Sequence, residues 1–164
     1  MKHRAQITDW LAVGSREACA SSTDELVIHI FRSDCPGQES KCAHGPSASH
    51  LRMDFREGDK IGTNDLRNLN TVIRSLRERK RRTLVHCFAG RCRSVHVAIY
   101  LLVVLDGMRP FEALSLVASQ IHAQREGEVI DPRVAPFEQI VRVWESIQSA
   151  GVGQGAPCIA STAV

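Results

Sequence analysis

The sequence lacks an apolar segment long enough to cross a bilayer. Its longest apolar run, residues 95–105, is much shorter than the ~20 residues that a transmembrane helix requires. Near the N-terminus, Asp9 comes before any apolar stretch of signal-peptide length. We therefore expect a soluble, cytoplasmic protein with no transmembrane segment.

A large excess of charge of one sign is also missing. With 21 Lys and Arg residues against 18 Asp and Glu residues, the net charge is +3, which is too small to indicate a nucleic-acid partner. Basic residues do cluster at the end of one predicted helix, where cations complement the helix dipole. A surface for an anionic lipid or nucleic acid is the alternative interpretation of this cluster. Its members are Arg74, Arg77, Arg79, Lys80, Arg81 and Arg82.

The cysteines match no compact metal-binding module. Cys35 and Cys42 share a Pro-, Gly- and Ser-rich stretch with His44 and His50, but their spacing is not that of a zinc module, and loop surface is the favoured interpretation. We therefore expect neither a metal nor another cofactor. Without an export signal, all six cysteines are expected to stay reduced. They lie at positions 19, 35, 42, 87, 92 and 158.

Internal repeats are absent, and the length of 164 residues with 43% hydrophobic content indicates a single domain that can bury a core. We assign residues 1–149 to this domain. Residues 150–164 are rich in Gly, Ala and Ser and are expected to form a disordered tail. Nothing in the pattern indicates an oligomeric state.

The apolar pattern alternates between strands and helices. Residues 26–31, 51–55 and 83–85 are predicted strands. A helix capped by Thr63 or Asn64 follows the second of these, with its apolar side chains on one face. Further helices are predicted at about 94–106, 110–124 and 135–149, with Pro110 and Pro136 near the first positions of the last two. This order predicts an α/β fold in which helices flank a mostly parallel central sheet.

The segment His86–Ser94 carries the clearest chemistry. It reads His-Cys-Phe-Ala-Gly-Arg-Cys-Arg-Ser and joins a predicted buried strand to a predicted buried helix. A turn at a helix N-terminus directs backbone N–H groups and partial positive charge into one concavity, which suits a phosphate dianion. These dipoles and Arg93 favour the thiolate form of Cys87. The guanidinium of Arg93 offers two parallel donors to phosphoryl oxygens.

This segment resembles the His-Cys-x5-Arg-Ser/Thr signature of protein tyrosine phosphatases, and especially the loop His-Cys-x-Ala-Gly-x-Ser-Arg-Ser of the dual-specificity branch. The resemblance extends over about residues 5–148 and includes the segments 7–15, 107–114 and 130–140. Cys92 stands where that branch often has serine. The resemblance implies the phosphatase fold, with Cys87 as a nucleophile that forms a phosphocysteine. It also implies a phosphate-binding loop made of Phe88, Ala89, Gly90, Arg91, Cys92 and Arg93.

Neighbouring residues have two interpretations each. In the family, a hydroxyl at the position of Ser94 stabilises the departing cysteine thiolate, whereas a serine at a helix start also serves as a cap. Arg91 is either a second cation that favours polyanionic substrates or a solvent-pointing side chain. Cys92 is either a packed thiol or a redox partner that traps oxidised Cys87 as a disulfide.

The general acid is ambiguous in the sequence. A carboxylic acid above the loop must protonate the leaving oxygen and later activate water, and in the family it is an aspartate on a loop after the preceding strand. Matching Phe55 and the following Arg-Glu-Gly to the family's frequent Phe-x-Asp-Gly places Glu57 in this role. Asp54 and Asp59 are the alternatives.

Together these residues predict a metal-independent phosphomonoester hydrolase, a protein tyrosine or dual-specificity phosphatase that acts through a phosphocysteine. Its partner would be a phosphorylated protein or a small phosphorylated substrate. The alternatives are a phosphatase for phosphoinositides or other polyanionic phosphates, and a pseudophosphatase that binds phosphate with little turnover.

Overall fold

The computed structural model describes residues 3–31 and 49–151, and its secondary structure agrees with an alternating α/β pattern. The strands are β1 (Arg4–Gln6), β2 (Leu11–Gly14), β3 (Leu26–Phe31), β4 (Ser49–Asp54) and β5 (Thr83–His86). The helices are α1 (Arg16–Ala20), α2 (Thr63–Glu78), α3 (Arg93–Asp106), α4 (Pro110–Gln124) and α5 (Val134–Gly151). Two of the predictions lie outside the described residues. They are the surface loop with Cys35, Cys42 and His44, and the tail beyond residue 151.

The strands form one sheet in the order β1-β2-β5-β3-β4. Strands β2, β5, β3 and β4 are parallel, and only the edge strand β1 runs antiparallel to its neighbour. The predicted fold, a mostly parallel sheet flanked by helices, is confirmed. Strand β1 was not predicted, because its three residues, Arg-Ala-Gln, carry no apolar alternation that sequence reasoning could detect.

Alternate residues of the strands face opposite sides of the sheet. On one side, Ala12, Val27 and Leu84 pack with Ala18 and Cys19 of α1. The residues between them in each strand join the larger core on the other side, which the longer helices cover. The sheet therefore separates two layers, and β5 lies near its middle with β2 and β3 as neighbours.

Helix α3 is the central helix of the larger core. Every residue from Arg93 to Val104 is buried, as expected for a helix that is apolar on all sides. It ends at Gly107, whose φ of +67° is the left-handed conformation common at helix C-termini. Since β5 precedes this helix, the connecting loop lies at the carboxyl end of the parallel strands, where α/β proteins bind their ligands.

The prediction that Thr63 or Asn64 caps α2 is wrong. Helix α2 already includes both residues, and Gly62, with extended dihedral angles, occupies the cap position without a side-chain hydrogen bond. Pro110 is at the start of α4, as predicted. Pro136 is the third residue of α5, which begins at Val134.

The basic cluster at the end of α2 contacts the adjacent elements. Arg79 forms an ion pair with Glu25 at 3.1 Å, and Lys80 forms one with Asp106. Arg81 donates a hydrogen bond to the Ser49 hydroxyl at 3.2 Å. These contacts join the end of α2 to the sheet and to α3. Among the described residues, no helix combines the length and the apolarity needed to span a membrane.

Candidate active site

The segment His86–Ser94 forms the predicted loop between β5 and α3. His86 is the last residue of β5, and α3 begins at Arg93. Cys87 follows the strand directly and is buried, with 4% of its surface exposed. The parallel register of β5 with β2 and β3 thus carries this cysteine to the centre of the sheet's carboxyl edge.

Gly90 is required by the shape of this loop. Its φ is +71°, and a Cβ atom built on it would lie 2.5 Å from the carbonyl carbon and oxygen of Gly14. The backbone N–H of Arg16 donates to the carbonyl of Phe88 at 3.2 Å. The loop therefore packs directly against the turn between β2 and α1, and only glycine fits at the point of closest approach.

Arg125, at the end of α4, holds the outer side of the loop. Only 3% of this residue is exposed, and its guanidinium donates to the carbonyl oxygens of Gly90 and Ala89, each at 2.9 Å. Glu128 balances its charge through an ion pair of 2.7 Å. Because a trans peptide points its N–H opposite to its C=O, binding these carbonyls directs the next two N–H groups to the inner side.

Sequence reasoning did not identify Arg125. In the sequence it is one cation at a predicted helix end, and such a residue is indistinguishable from one that only complements the helix dipole. Its role depends on the packing of α4 beside the loop between β5 and α3, which no local pattern encodes.

The sulfur of Cys87 has two polar neighbours at this loop. The backbone N–H of Gly90 donates to it at 3.2 Å, and the Ser94 hydroxyl lies 3.3 Å from it. Ser94 is already the second residue of α3, and Cys92 occupies the cap position, so the interpretation of Ser94 as a helix cap is wrong.

Arg93, the first residue of α3, is buried with an unused donor. The residue is 8% exposed, and its Nη1 atom has no hydrogen-bond partner among the described residues. A buried guanidinium nitrogen without a partner is unfavourable unless an anion binds it. The loop thus offers an arginine donor and inward N–H groups around one nucleophilic sulfur, which is an arrangement for a tetrahedral oxyanion.

Glu57 lies against the loop through Cys92. Burial and the nearby Glu57 carboxylate raise the pKa of the Cys92 thiol to about 12, so it remains protonated at neutral pH. The Glu57 carboxylate lies close enough to the Cys92 side chain to raise its pKa, and it lies 3.5 Å from the guanidinium of Arg133. Arg133 in turn pairs with Asp131 at 2.7 Å. A carboxylate therefore borders the loop that holds Cys87.

The fold agrees with that of several solved structures. PTPMT1 in complex with PI(5)P superposes with a TM-score of 0.68 at 15% identity, covering 90% of this chain and 98% of that chain. Human DUSP28 gives 0.66 at 19% identity, covering 90% and 95%. The human tyrosine phosphatase-like serine/threonine/tyrosine-interacting protein gives 0.68 at 18%, covering 92% and 100%.

This chain has the fold of the dual-specificity phosphatases. No protein-family model and no curated protein sequence matches it. At such low identity the structural likeness concerns the fold alone.

Within the dual-specificity phosphatase fold, the other two candidate acids have different surroundings. Asp54 ends β4, and its backbone N–H donates to the carboxylate of Asp65 at 3.1 Å. Asp59 donates its backbone N–H to the carbonyl of Arg56 at 3.2 Å and closes the turn after Glu57. All three candidates are exposed, and the contact with Cys92 is what places Glu57 at the loop.

The remaining residues of the predicted loop differ in their exposure to solvent. Arg91 is exposed, and its carbonyl accepts a hydrogen bond from the backbone of Asp131 at 2.9 Å. Phe88 is half-exposed beneath the guanidinium of Arg16. Cys87 and Cys92 are both buried as free thiols, so a disulfide between them stays a prediction.

The packing of Gly90 generates a test with a matched control. We expect Gly90→Ala to lose phosphate and orthovanadate binding by at least tenfold, because the added Cβ would displace the loop from Gly14. Gly107 has a similar positive φ, but no atom lies within 4 Å of a Cβ built on it. Gly107→Ala should therefore lower the free energy of unfolding by only the ~1–2 kcal/mol that an L-residue costs in the left-handed region, and it should bind oxyanions normally. Calorimetric titration with orthovanadate and urea unfolding measure the two effects. Unchanged oxyanion binding in Gly90→Ala would contradict this account of the loop.

Proposed function

We propose that the protein is a cysteine-dependent phosphomonoester hydrolase, specifically a protein tyrosine or dual-specificity phosphatase that forms a phosphocysteine. The observations that carry the proposal are that the Gly90 N–H and the Ser94 hydroxyl lie 3.2 and 3.3 Å from the Cys87 sulfur, and that Arg93 is buried with an unused donor. These groups supply a nucleophile and charge neutralisation without requiring a metal ion.

In the first step, the Cys87 thiolate attacks the phosphorus of the substrate. The S–P bond forms as the bond to the leaving oxygen breaks, and that oxygen takes a proton from the general acid. Arg93 binds two of the phosphoryl oxygens, and the loop N–H groups bind the transferring group. The negative charge of the phosphate dianion is thus stabilised by hydrogen-bond donors that are oriented before the substrate binds.

In the second step, water attacks the phosphocysteine and releases inorganic phosphate. The same carboxylate, now ionised, takes a proton from the water, and the sulfur leaves as a thiolate. The hydroxyl of Ser94, 3.3 Å from the sulfur, stabilises this departing thiolate. Its position on the first turn of α3 therefore suits the role that the family resemblance implies.

We assign the general acid to Glu57. The support for this assignment is its contact with Cys92 of the phosphate loop and its ion pair with Arg133 at the loop's edge. Glutamate is one methylene longer than the aspartate of the family pattern. Cys92 replaces the serine of that pattern, so the two departures from the pattern lie in contact with each other.

The nucleophile assignment is tested by substitution. We expect Cys87→Ser to abolish phosphate release while orthovanadate binding persists, because the loop that binds the oxyanion stays intact. Arg93→Lys should also lose turnover, since a single ammonium cannot replace two parallel donors. Both rates are measured with an aryl phosphate in the presence of a chelator. More than a few per cent of the wild-type rate in Cys87→Ser would exclude the phosphocysteine route.

The acid assignment is tested through the leaving group. Glu57→Gln should slow phosphotyrosine hydrolysis by about 10²–10⁴-fold, with a much smaller effect on an activated aryl phosphate whose oxygen leaves without a proton. The basic limb of the pH–rate profile should also flatten. Asp54→Asn and Asp59→Asn serve as controls and should be mild. If either control shows the leaving-group dependence instead, the acid is that aspartate.

The alternative substrate class is a phosphoinositide or another polyanionic phosphate. The exposed cation of Arg91 beside the loop favours it, and PTPMT1 was crystallised with PI(5)P. Against it, Arg133 at the same rim is paired with two carboxylates, Glu57 and Asp131, which offset its charge. The rim is therefore not strongly positive, which favours phosphotyrosine.

A substrate panel separates these candidates. We expect kcat/KM for a phosphotyrosine peptide to exceed that for a phosphoserine peptide or a phosphoinositide by at least tenfold, and Arg91→Ala to change it little. A faster reaction with phosphoinositide that Arg91→Ala selectively reduces would establish the alternative class. Binding of phosphopeptide without phosphate release would instead identify a pseudophosphatase.

A further inference from the structure

Behind the phosphate loop, on the side of the sheet covered by α1, three buried side chains bring potential metal ligands together. They are Cys19 of α1, His29 of β3 and His86 of β5, and each is only 1% exposed. One ligand atom from each lies within 4.8 Å of the other two. In residues 3–31 and 49–151, these three residues form the group of His, Cys, Asp or Glu side chains that could hold a metal ion. His29 and His86 are directly paired in the parallel register of β3 and β5.

The distances within this cluster are near those of a metal site. The Nδ1 atom of His29 lies 2.6 Å from Nε2 of His86 and 4.0 Å from Sγ of Cys19. Tetrahedral zinc, with bonds of about 2.05 Å to nitrogen and 2.3 Å to sulfur, separates two nitrogens by about 3.3 Å and a nitrogen from a sulfur by about 3.6 Å. Sub-ångström movements of these side chains would therefore admit the ion.

A fourth side chain, that of His50, orients the His29 ring. His50 of β4 places its Nδ1 atom 3.0 Å from Nε2 of His29. A proton on His29 Nε2 that is donated to His50 leaves the lone pair of His29 Nδ1 directed at Cys19 and His86. Metal-binding histidines are usually held in this way through their second nitrogen. Phe31 stacks on the His29 ring, with centroids 5.6 Å apart, and limits its rotation.

We propose that Cys19, His29 and His86 bind a Zn²⁺ ion. One thiolate and two neutral imidazoles form a donor set that suits zinc, and a water molecule would complete four-coordination. Binding releases the thiol proton of Cys19, while the His86 proton moves from Nε2 to Nδ1 so that Nε2 can coordinate. The positive ion thereby neutralises a thiolate that would otherwise be unfavourable in the buried layer.

This site is separate from the proposed phosphatase chemistry. The Cys87 side chain packs with the larger core, whereas Cys19 belongs to the smaller cluster on the other side of the sheet. The two sites are connected by the peptide bond between His86 and Cys87 and by the packing of the loop on the turn before α1. Zinc binding can therefore be present or absent whether or not the protein hydrolyses phosphate esters.

The test measures zinc binding directly in a Cys87→Ser background, which removes the nucleophilic sulfur as a competing ligand. The probe is Zn²⁺ alone, titrated in competition with a chromophoric chelator in phosphate-free buffer. We expect one equivalent to bind, and we expect Cys19→Ala and His29→Asn each to weaken it at least 100-fold. His50→Ala should weaken it about 10–100-fold, the usual effect of removing an orienting partner.

Matched controls separate this site from other ligands. His122→Asn removes an exposed histidine of α4 and should leave zinc affinity unchanged. The double substitution Cys35→Ser/Cys42→Ser should also leave it unchanged, because these cysteines are not in the proposed ligand set. Circular dichroism and thermal melting of every variant show whether it is folded.

Cobalt(II) provides a spectroscopic readout of the ligand sulfur. The Cys87→Ser protein with one equivalent of Co²⁺ should show a thiolate-to-cobalt charge-transfer band together with the intense visible bands of tetrahedral cobalt. The charge-transfer band should disappear in Cys19→Ala or, if that variant does not fold, in Cys19→Ser. No stoichiometric zinc, unchanged affinity without the Cys19 sulfur, or loss of binding in Cys35→Ser/Cys42→Ser would each overturn the proposal.

Discussion

The candidate site depends on one constraint, which is that the loop after β5 must turn its N–H groups inward around the Cys87 sulfur. Arg125 enforces this by binding the carbonyls of Ala89 and Gly90 from outside. Gly90 permits it, because its backbone approaches Gly14 too closely for any Cβ atom. The buried guanidinium itself is stabilised by Glu128. A helix end, a strand end and a loop therefore act together, and the electrostatic environment of the sulfur follows from their contact.

The two departures from the family pattern are one structural feature. Cys92 and Glu57 lie far apart in the chain, yet the Glu57 carboxylate contacts the Cys92 thiol and contributes to the rise of its pKa to about 12. A thiol that stays protonated remains a hydrogen-bond donor, so it can position the Glu57 carboxylate beside the loop. This coupling also makes Cys92 a poor nucleophile towards an oxidised Cys87, since attack requires a thiolate. The pair therefore suits positioning of a carboxylate better than redox trapping.

The sheet divides the chemistry of the chain between its two faces. The larger core surrounds α3 and fixes the position of the N-terminus of this helix at the loop that carries Cys87. The smaller layer beneath α1 contains Cys19, His29 and His86, which are polar groups in an otherwise apolar setting. His86 and Cys87 are consecutive, so the strand's alternation sends one towards each layer. The side chains of these two adjacent residues therefore lie in two different environments.

The sequence by itself determined the local features of this protein. The apolar runs of β5 and α3, with the short turn between them, predicted the strand, the helix and the loop that carries Cys87 and Arg93, because those patterns are complete within about 25 residues. Only the tertiary structure decided which distant groups reach that loop. Arg125 comes from the end of α4, Glu57 from the turn after β4, and His29 meets His86 through strand register. Strand pairing and helix packing set these distances, and a one-residue change of register would turn His29 to the opposite face of the sheet.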